Sequence, residues 1–331
     1  MKVRGLSGVL LTILPAILCA ESPLEYLDRA LRAERMTPGV FIQQHRNFAG
    51  QKTQKVMVMR DGEGQSLVTI LEPLNLQGVQ SFDTGREMHT YYPDSKQLII
   101  RPWGSQQARV DPKMRMRLIE RNYKVSSGKG PKVAGLLTTK ITAQPVAKDV
   151  PRRTMYFARG STNLLKIEVS LGKQNSTIFE TLSQSPYSGT LQPPASNGWD
   201  RATTWGPKPM GTDQQTRVLL RIAPVIPKTL PKGFEVVDSF YNGRDAESAF
   251  LITRVTDGLT LVTILQGQTK VMPTIPGTEQ IKARGVSVIA DGLAPAPLLT
   301  EILEAFSPTR AQSPRGELAT TANSYSQYPK K

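Results

Sequence analysis

The sequence predicts an α+β protein, mostly antiparallel β, organised as two units. Three observations carry that expectation. Short β-branched or aromatic runs recur along the chain and are separated by Gly, Pro or Asp. A Pro-, Gly- and Ser-rich stretch interrupts them at residues 183–216. A second set of runs follows, closed by one apolar helical face. The chain has 331 residues, enough to bury two separate cores.

The first element expected is a helix over residues 23–35. Ser22 can cap the next backbone amides and Glu25 can bond back to it, and Pro23 suits the first helical position. Leu24, Leu27 and Leu31 then share one face. Residues 55–60, 66–71, 87–92 and 97–101 read as strands, and residues 61–64 as a hairpin loop. A second helix is expected over residues 112–123 with Asp111 as its cap. Residues 128–130, Gly-Lys-Gly, read as a turn. Strands resume at 136–143, 154–158, 164–170 and 176–182. At least eight strands with an early helix describe an antiparallel sheet wrapped around an apolar interior.

Residues 183–229 are expected to be a linker. Trp199 and Trp205 within it are expected to dock on one of the units, or else to contact a partner. The second unit, residues 230–306, reads as strands at 234–241, 248–256, 259–266 and 285–290, with Thr256-Asp257-Gly258-Leu259 as a hairpin turn. Leu298, Leu299, Ile302 and Leu303 give one face of a helix capping this four-stranded sheet. Residues 307–331 are polar and Pro-containing, and are expected to be a disordered tail.

The N-terminus adds a compartment. Lys2 and Arg4 precede an apolar run from Leu6 to Leu18, and Ala20 offers a cleavage point, the layout of a secretory signal over residues 1–20. The run is shorter than the ~20 residues needed to span a bilayer. Cys19 also admits a lipid-attachment reading, for which Ala16-Ile17-Leu18 is a poor match. Cleavage after Ala20 would leave a mature chain without cysteine, excluding disulfides and thiolate chemistry. That chain would carry 40 basic and 27 acidic residues. Residues 21–182 hold 25 of the basic and 15 of the acidic ones, so the field is concentrated in the first unit. Nucleic acid is not an available partner for an exported protein. The anionic partners left are lipid head groups, lipopolysaccharide phosphates or an acidic protein segment; a basic surface that only maintains solubility is the alternative.

No catalytic pattern emerges. His45 and His89 have no metal-ligand spacing, and there is no nucleophile elbow or phosphate-binding loop. The chain therefore reads as a binding protein, without cofactor or metal. Two groups of residues are candidates for binding. Met57, Met59, Met88, Met114, Leu118 and Met155 are flexible or apolar side chains of the first unit, suited to a ligand cavity inside a curved sheet or to ordinary core filling. Met57 and Met59 share one strand face and Val56 and Val58 the other, with no signal for which points inward. Lys113, Arg117, Arg121 and Lys124 fall at i, i+4, i+8 and i+11, one cationic stripe. It reads either as a solvated face or as one turned to an anion or a membrane surface.

Several short segments carry a family resemblance. Leu230-Pro231-Lys232-Gly233-Phe234 and Arg254-Val255-Thr256-Asp257-Gly258-Leu259 resemble the C-terminal half of the MucB/RseB family of periplasmic sigma-factor regulatory proteins. Residues 87–101, 132–138 and 162–169 are similar to segments of its N-terminal half, in the same order. The resemblance implies a LolA-like incomplete β-barrel closed by helices, followed by a small sheet-and-helix domain. It implies a periplasmic location and binding of the exported segment of a membrane anti-sigma factor. It also implies sensing of a lipid or lipoprotein ligand in an apolar cavity. A LolA-like periplasmic carrier of lipids or lipoproteins is the alternative; the second unit speaks against it, since a carrier needs only the first. The family offers no active site, so no catalytic residue is carried over.

Overall fold

A computed structural model describes residues 21–33, 36–46, 53–102, 110–203, 208–209, 224–242, 249–268, 279–283, 286–292 and 294–306. The signal segment, Trp205 and the C-terminal tail lie outside the described residues. Helix α1 (Pro23–Ala33) leads into β1 (Gly39–Arg46), β2 (Thr53–Arg60), β3 (Ser66–Glu72), β4 (Gln80–Asp83), β5 (Met88–Tyr92) and β6 (Gln97–Arg101). Helix α2 (Pro112–Asn122) runs directly into β7 (Tyr123–Val133), followed by β8 (Leu136–Pro145), β9 (Arg152–Ala158), β10 (Leu164–Leu171) and β11 (Gln174–Ser185). Strand β12 (Asp200–Thr203) completes the first sheet. A second sheet holds β13 (Lys208–Pro209), β14 (Glu235–Asn242), β15 (Phe250–Thr256), β16 (Leu261–Gln268), β17 (Glu279–Ala283) and β18 (Val286–Gly292), closed by α3 (Ala296–Ala305).

The first sheet has twelve strands in the order β12-β6-β5-β4-β3-β2-β1-β11-β10-β9-β8-β7. All neighbours are antiparallel except β12, which runs parallel to β6. Among the described residues its two end strands do not pair, so the barrel stays incomplete, as expected. Both helix starts form as read. Ser22 N donates to Glu25 Oε2 at 2.8 Å, and Glu25 N donates to Ser22 Oγ at 3.2 Å. Met114 N donates to Asp111 Oδ2 at 3.1 Å. The helices cover one face of β8–β10 through Leu27, Ala30, Ile119, Ile141, Ala143, Met155 and Phe157. Burial of such side chains is worth about 1.5–3 kcal/mol each, which fixes the helices on this side.

Three expectations are corrected. Gly128-Lys129-Gly130 is not a turn; it lies inside β7, where pairing with Lys140, Thr139 and Thr138 of β8 overrides the weak strand propensity of glycine. The second sheet has six strands rather than four. The stretch read as linker contributes β12 to the first sheet and β13 to the second, and β11 runs on to Ser185. Trp199 does dock. It meets Tyr91 edge-on at 6.2 Å and, with Tyr187 and Leu191, covers Phe82 and Leu98 on the sheet face opposite the helices. The second core is Phe234, Val255, Val262 and Ile264 under Leu298, Leu299, Ile302 and Leu303 of the closing helix and Phe306 just after it. Among the described residues no helix is long and apolar enough to cross a membrane.

Candidate functional site

Helix α2 is where the two sheets meet. Arg117 Nη2 donates to Glu235 Oε2 and Arg121 Nη1 to Glu235 Oε1, both at 2.6 Å. One carboxylate at the start of β14 thus accepts from two guanidinium groups one helical turn apart, the spacing that places i and i+4 on one face. Burial opposes ionisation of Glu235. The hydrogen bond from Arg121 and the charges of Arg117 and Arg121 outweigh it, so the carboxyl is held below the usual carboxylate range. Arg121 Nη2 also reaches the Gly233 carbonyl at 2.7 Å.

Deeper in the junction the contacts are partly or fully buried. Asn122 Nδ2 donates to the carbonyls of Gly233 at 2.9 Å and Asp257 at 3.0 Å. The Tyr123 hydroxyl donates to Asp257 Oδ2 at 2.6 Å, and both side chains are buried. Burial, reinforced by the Asp257 charge, pushes the Tyr123 hydroxyl far up, so it stays a donor throughout the physiological range. Arg153 Nη2 of β9 donates to Thr260 Oγ1 at 2.7 Å. Asp257 in turn accepts from Thr260 N at 2.7 Å and Leu259 N at 3.0 Å, which holds the β15–β16 turn in shape. Buried polar groups paired in this way hold one docking geometry, because losing either partner leaves the other short of a hydrogen bond.

Two glycines make the approach feasible. Gly258 has φ +104°, and a Cβ there would lie 2.8 Å from the Ile119 backbone nitrogen. Gly233 has φ +78°, and a Cβ there would overlap the Asn122 side-chain amide. Both belong to the segments that resemble the MucB/RseB pattern. Their physical role is to let the second sheet's loops press against α2.

A second feature lies on the helix-side face of the first sheet, beyond the reach of the helices. A recess of about 320 Å³ is floored by Val56, Val58, Val68 and Met88, with Gln43, His45, Arg60, Gln65 and Asp83 among its polar lining. Its volume is at the small end of ligand sites, ~300–1,000 Å³. Gln65 Oε1 is buried there without a hydrogen-bond partner among the described residues. Burial pushes the His45 imidazole below its ordinary value and so favours its neutral form. Cross-strand neighbours His45, Phe179, Ile167 and Met155 run in one row from the recess to the core beneath the helices.

The candidate side chains are distributed as follows. Met88 lines the recess, and Met155 is buried on the same face. Met57 and Met59 lie on the opposite face, where Met59 packs beneath the Trp199 segment. Leu118 is fully buried in α2 and Met114 is half-buried. Arg117 and Arg121 face the second sheet, Lys113 is exposed, and Lys124 stands on β7 rather than on the helix. Sequence reasoning missed Glu235, Asn122, Tyr123, Arg153 and Asp257 as a group. The usable signal was the pair of glycine-containing loops; nothing local links them to α2. Among the described residues no group of three or more His, Cys, Asp or Glu could hold a metal ion.

Comparison with known proteins returns a fold. No family model matches the chain, and no curated protein sequence matches it. The Pseudomonas aeruginosa MucA/MucB complex structure matches with a TM-score of 0.57 at 12% identity, covering 86% of this chain and 97% of that one. A crystal structure of MucB matches with a TM-score of 0.57 at 13% identity, covering 85% and 96%. MucB in complex with MucA(peri) matches with a TM-score of 0.56 at 12% identity, covering 86% and 97%. The chain thus has the two-sheet fold of MucB along most of its length.

Proposed function

We propose that this chain is an exported, periplasmic regulatory binding protein that captures the exported segment of a membrane anti-sigma factor. A lipid-like ligand in the recess of the first sheet shifts its affinity for that segment. The observation that carries the reading is the shared two-sheet fold, spanning 97% of a MucB chain solved with MucA(peri). The second sheet, fixed to α2, favours regulation over the runner-up, a lipoprotein or lipid carrier. The protein acts by binding and has no catalytic step.

The junction and the recess supply the two elements such a regulator needs. A ligand shifts an equilibrium only by its differential affinity for two states. Here the docked state is held by Glu235 between two arginines and by the Tyr123–Asp257 hydrogen bond. The cross-strand row from His45 to Met155 physically joins the recess to the core under α2.

Pull-down from envelope extracts with the mature chain tests the reading. A single-span membrane protein in the eluate is expected, and its recovery should fall when lipid occupies the recess. An eluate holding only outer-membrane lipoproteins would overturn regulation in favour of the carrier.

A further inference from the structure

We infer that the free edge of β7 is a docking edge for an extended acidic peptide, which adds to the first sheet as a further strand. The inference deepens the proposed function and rests on it, since it gives the captured segment a place and a chemistry. β7 ends the twelve-stranded order, so among the described residues its outer side has no strand partner for its backbone N–H and C=O groups. It is eleven residues long, and Ser126, Ser127, Gly128 and Lys129 at its middle are all exposed. The opposite end strand, β12, has only four residues and carries one acid and one base, Asp200 and Arg201. Of the two edges, β7 alone is long enough for several ladder hydrogen bonds.

Charge then selects the occupant. Residues 123–145, which span β7 and β8, contain Lys124, Lys129, Lys132 and Lys140 and no Asp or Glu. Among the described residues none of these four lysines forms an ion pair. Lys124 and Lys129 alternate between the two faces of the strand, so an added strand meets a cation on either side. Gly128 stands opposite Lys140 in the β7–β8 pair, and nothing lies within 4 Å of where its Cβ would be. No side chain therefore separates Lys140 from the edge. Lysines on an edge repel a second copy of the same strand and attract one bearing carboxylates. The mode is strand addition, with main-chain hydrogen bonds giving affinity and side-chain charge giving selection.

The test uses the mature chain and two synthetic ten-residue peptides. One alternates Thr and Glu; the other keeps the same number of Glu but has two adjacent prolines at its centre, so that in either register one of them lacks the N–H that should face β7. Hydrogen exchange of the β7 amides should slow at least about fivefold with the first peptide and not with the second, since an added strand protects the edge. Affinity for the first peptide should fall about tenfold or more in the triple variant Lys124→Gln, Lys129→Gln, Lys132→Gln, for loss of roughly three charge contacts. Unchanged β7 exchange in the wild-type protein overturns the inference without relying on any variant. Equal binding of the proline peptide also overturns it, because charge alone would then explain binding. Failure of the parent reading looks different: the wild-type chain captures no single-span protein from envelope extracts. If it captures one and the triple variant captures it equally well, the reading stands and the docking edge falls.

Discussion

At the residue scale, the junction depends on groups too small or too polar to be swapped. Gly258→Ala would place a methyl group 2.8 Å from the Ile119 nitrogen on a backbone with φ +104°. Overpacking plus this strain should cost about 1–3 kcal/mol. Thermal unfolding, with hydrogen exchange at residues 256–260, checks it. Tyr123→Phe removes the shorter of the two hydrogen bonds to Asp257 Oδ2, that from the Tyr123 hydroxyl at 2.6 Å, and leaves the one from Thr260 Oγ1 at 3.2 Å. An expected loss of about 1–3 kcal/mol follows from an under-satisfied buried acceptor. The two glycines were legible in the sequence as motif positions. Their role was not, because the atoms that demand glycine belong to α2, more than a hundred residues earlier. His45 offers a separate check on the recess. Its folded-state titration should lie below the ordinary histidine value of about 6.5, read by NMR as pH is lowered. A depressed midpoint means that protonation opposes folding. Stability present above pH ~6.5 should decline as pH falls through the folded midpoint.

At the element scale, propensity and capping fixed what local chemistry can fix. The Ser22–Glu25 box and the Asp111 cap form as read, and Asp111→Ala should cost α2 about 0.5–2 kcal/mol, seen as a lower denaturation midpoint. Strands with β-branched runs, such as Val56-Met57-Val58-Met59, were equally legible. β1 and β7 were not. Gln43-Gln44-His45-Arg46 and Ser126-Ser127-Gly128-Lys129 have no apolar alternation, and only pairing with β2 and β8 makes them strands. Strand propensity is a property of neighbours more than of residues, so an edge strand built from polar residues leaves little local signal. The cationic stripe teaches the same lesson. Its period placed Arg117 and Arg121 on one helix face, yet that face meets Glu235 of the second sheet, which no periodicity reveals.

At the scale of the whole molecule, the second sheet is docked on α2, and the proposed regulation requires a state in which that docking is loosened. Glu235 has a folded-state pKa depressed by its two arginines. A depressed carboxylate contributes stability above its unfolded value of about 4.3, and that contribution is lost as pH falls through the folded value. The docked arrangement should therefore hold at neutral pH and loosen in acid below about pH 4. Arg117 and Arg121 are 60% and 47% exposed, so solvent screens these pairs. Each is worth roughly 0.2–1 kcal/mol. About 0.5 M salt shortens the screening length below about 5 Å and should act in the same direction. Glu235→Gln removes the titrating group. The variant should be looser already at pH 7, and its small-angle scattering profile should no longer change between pH 7 and about pH 4 for this cause. The buried Tyr123–Asp257 bond does not depend on Arg117 or Arg121, so the variant should keep both sheets folded, with far-UV dichroism unchanged. A variant whose scattering matches the wild type at every pH would mean that Glu235 carries no share of the docking. The buried contacts of α2 would then hold the sheets together alone, and a ligand in the recess would have to work against them rather than against an ion pair.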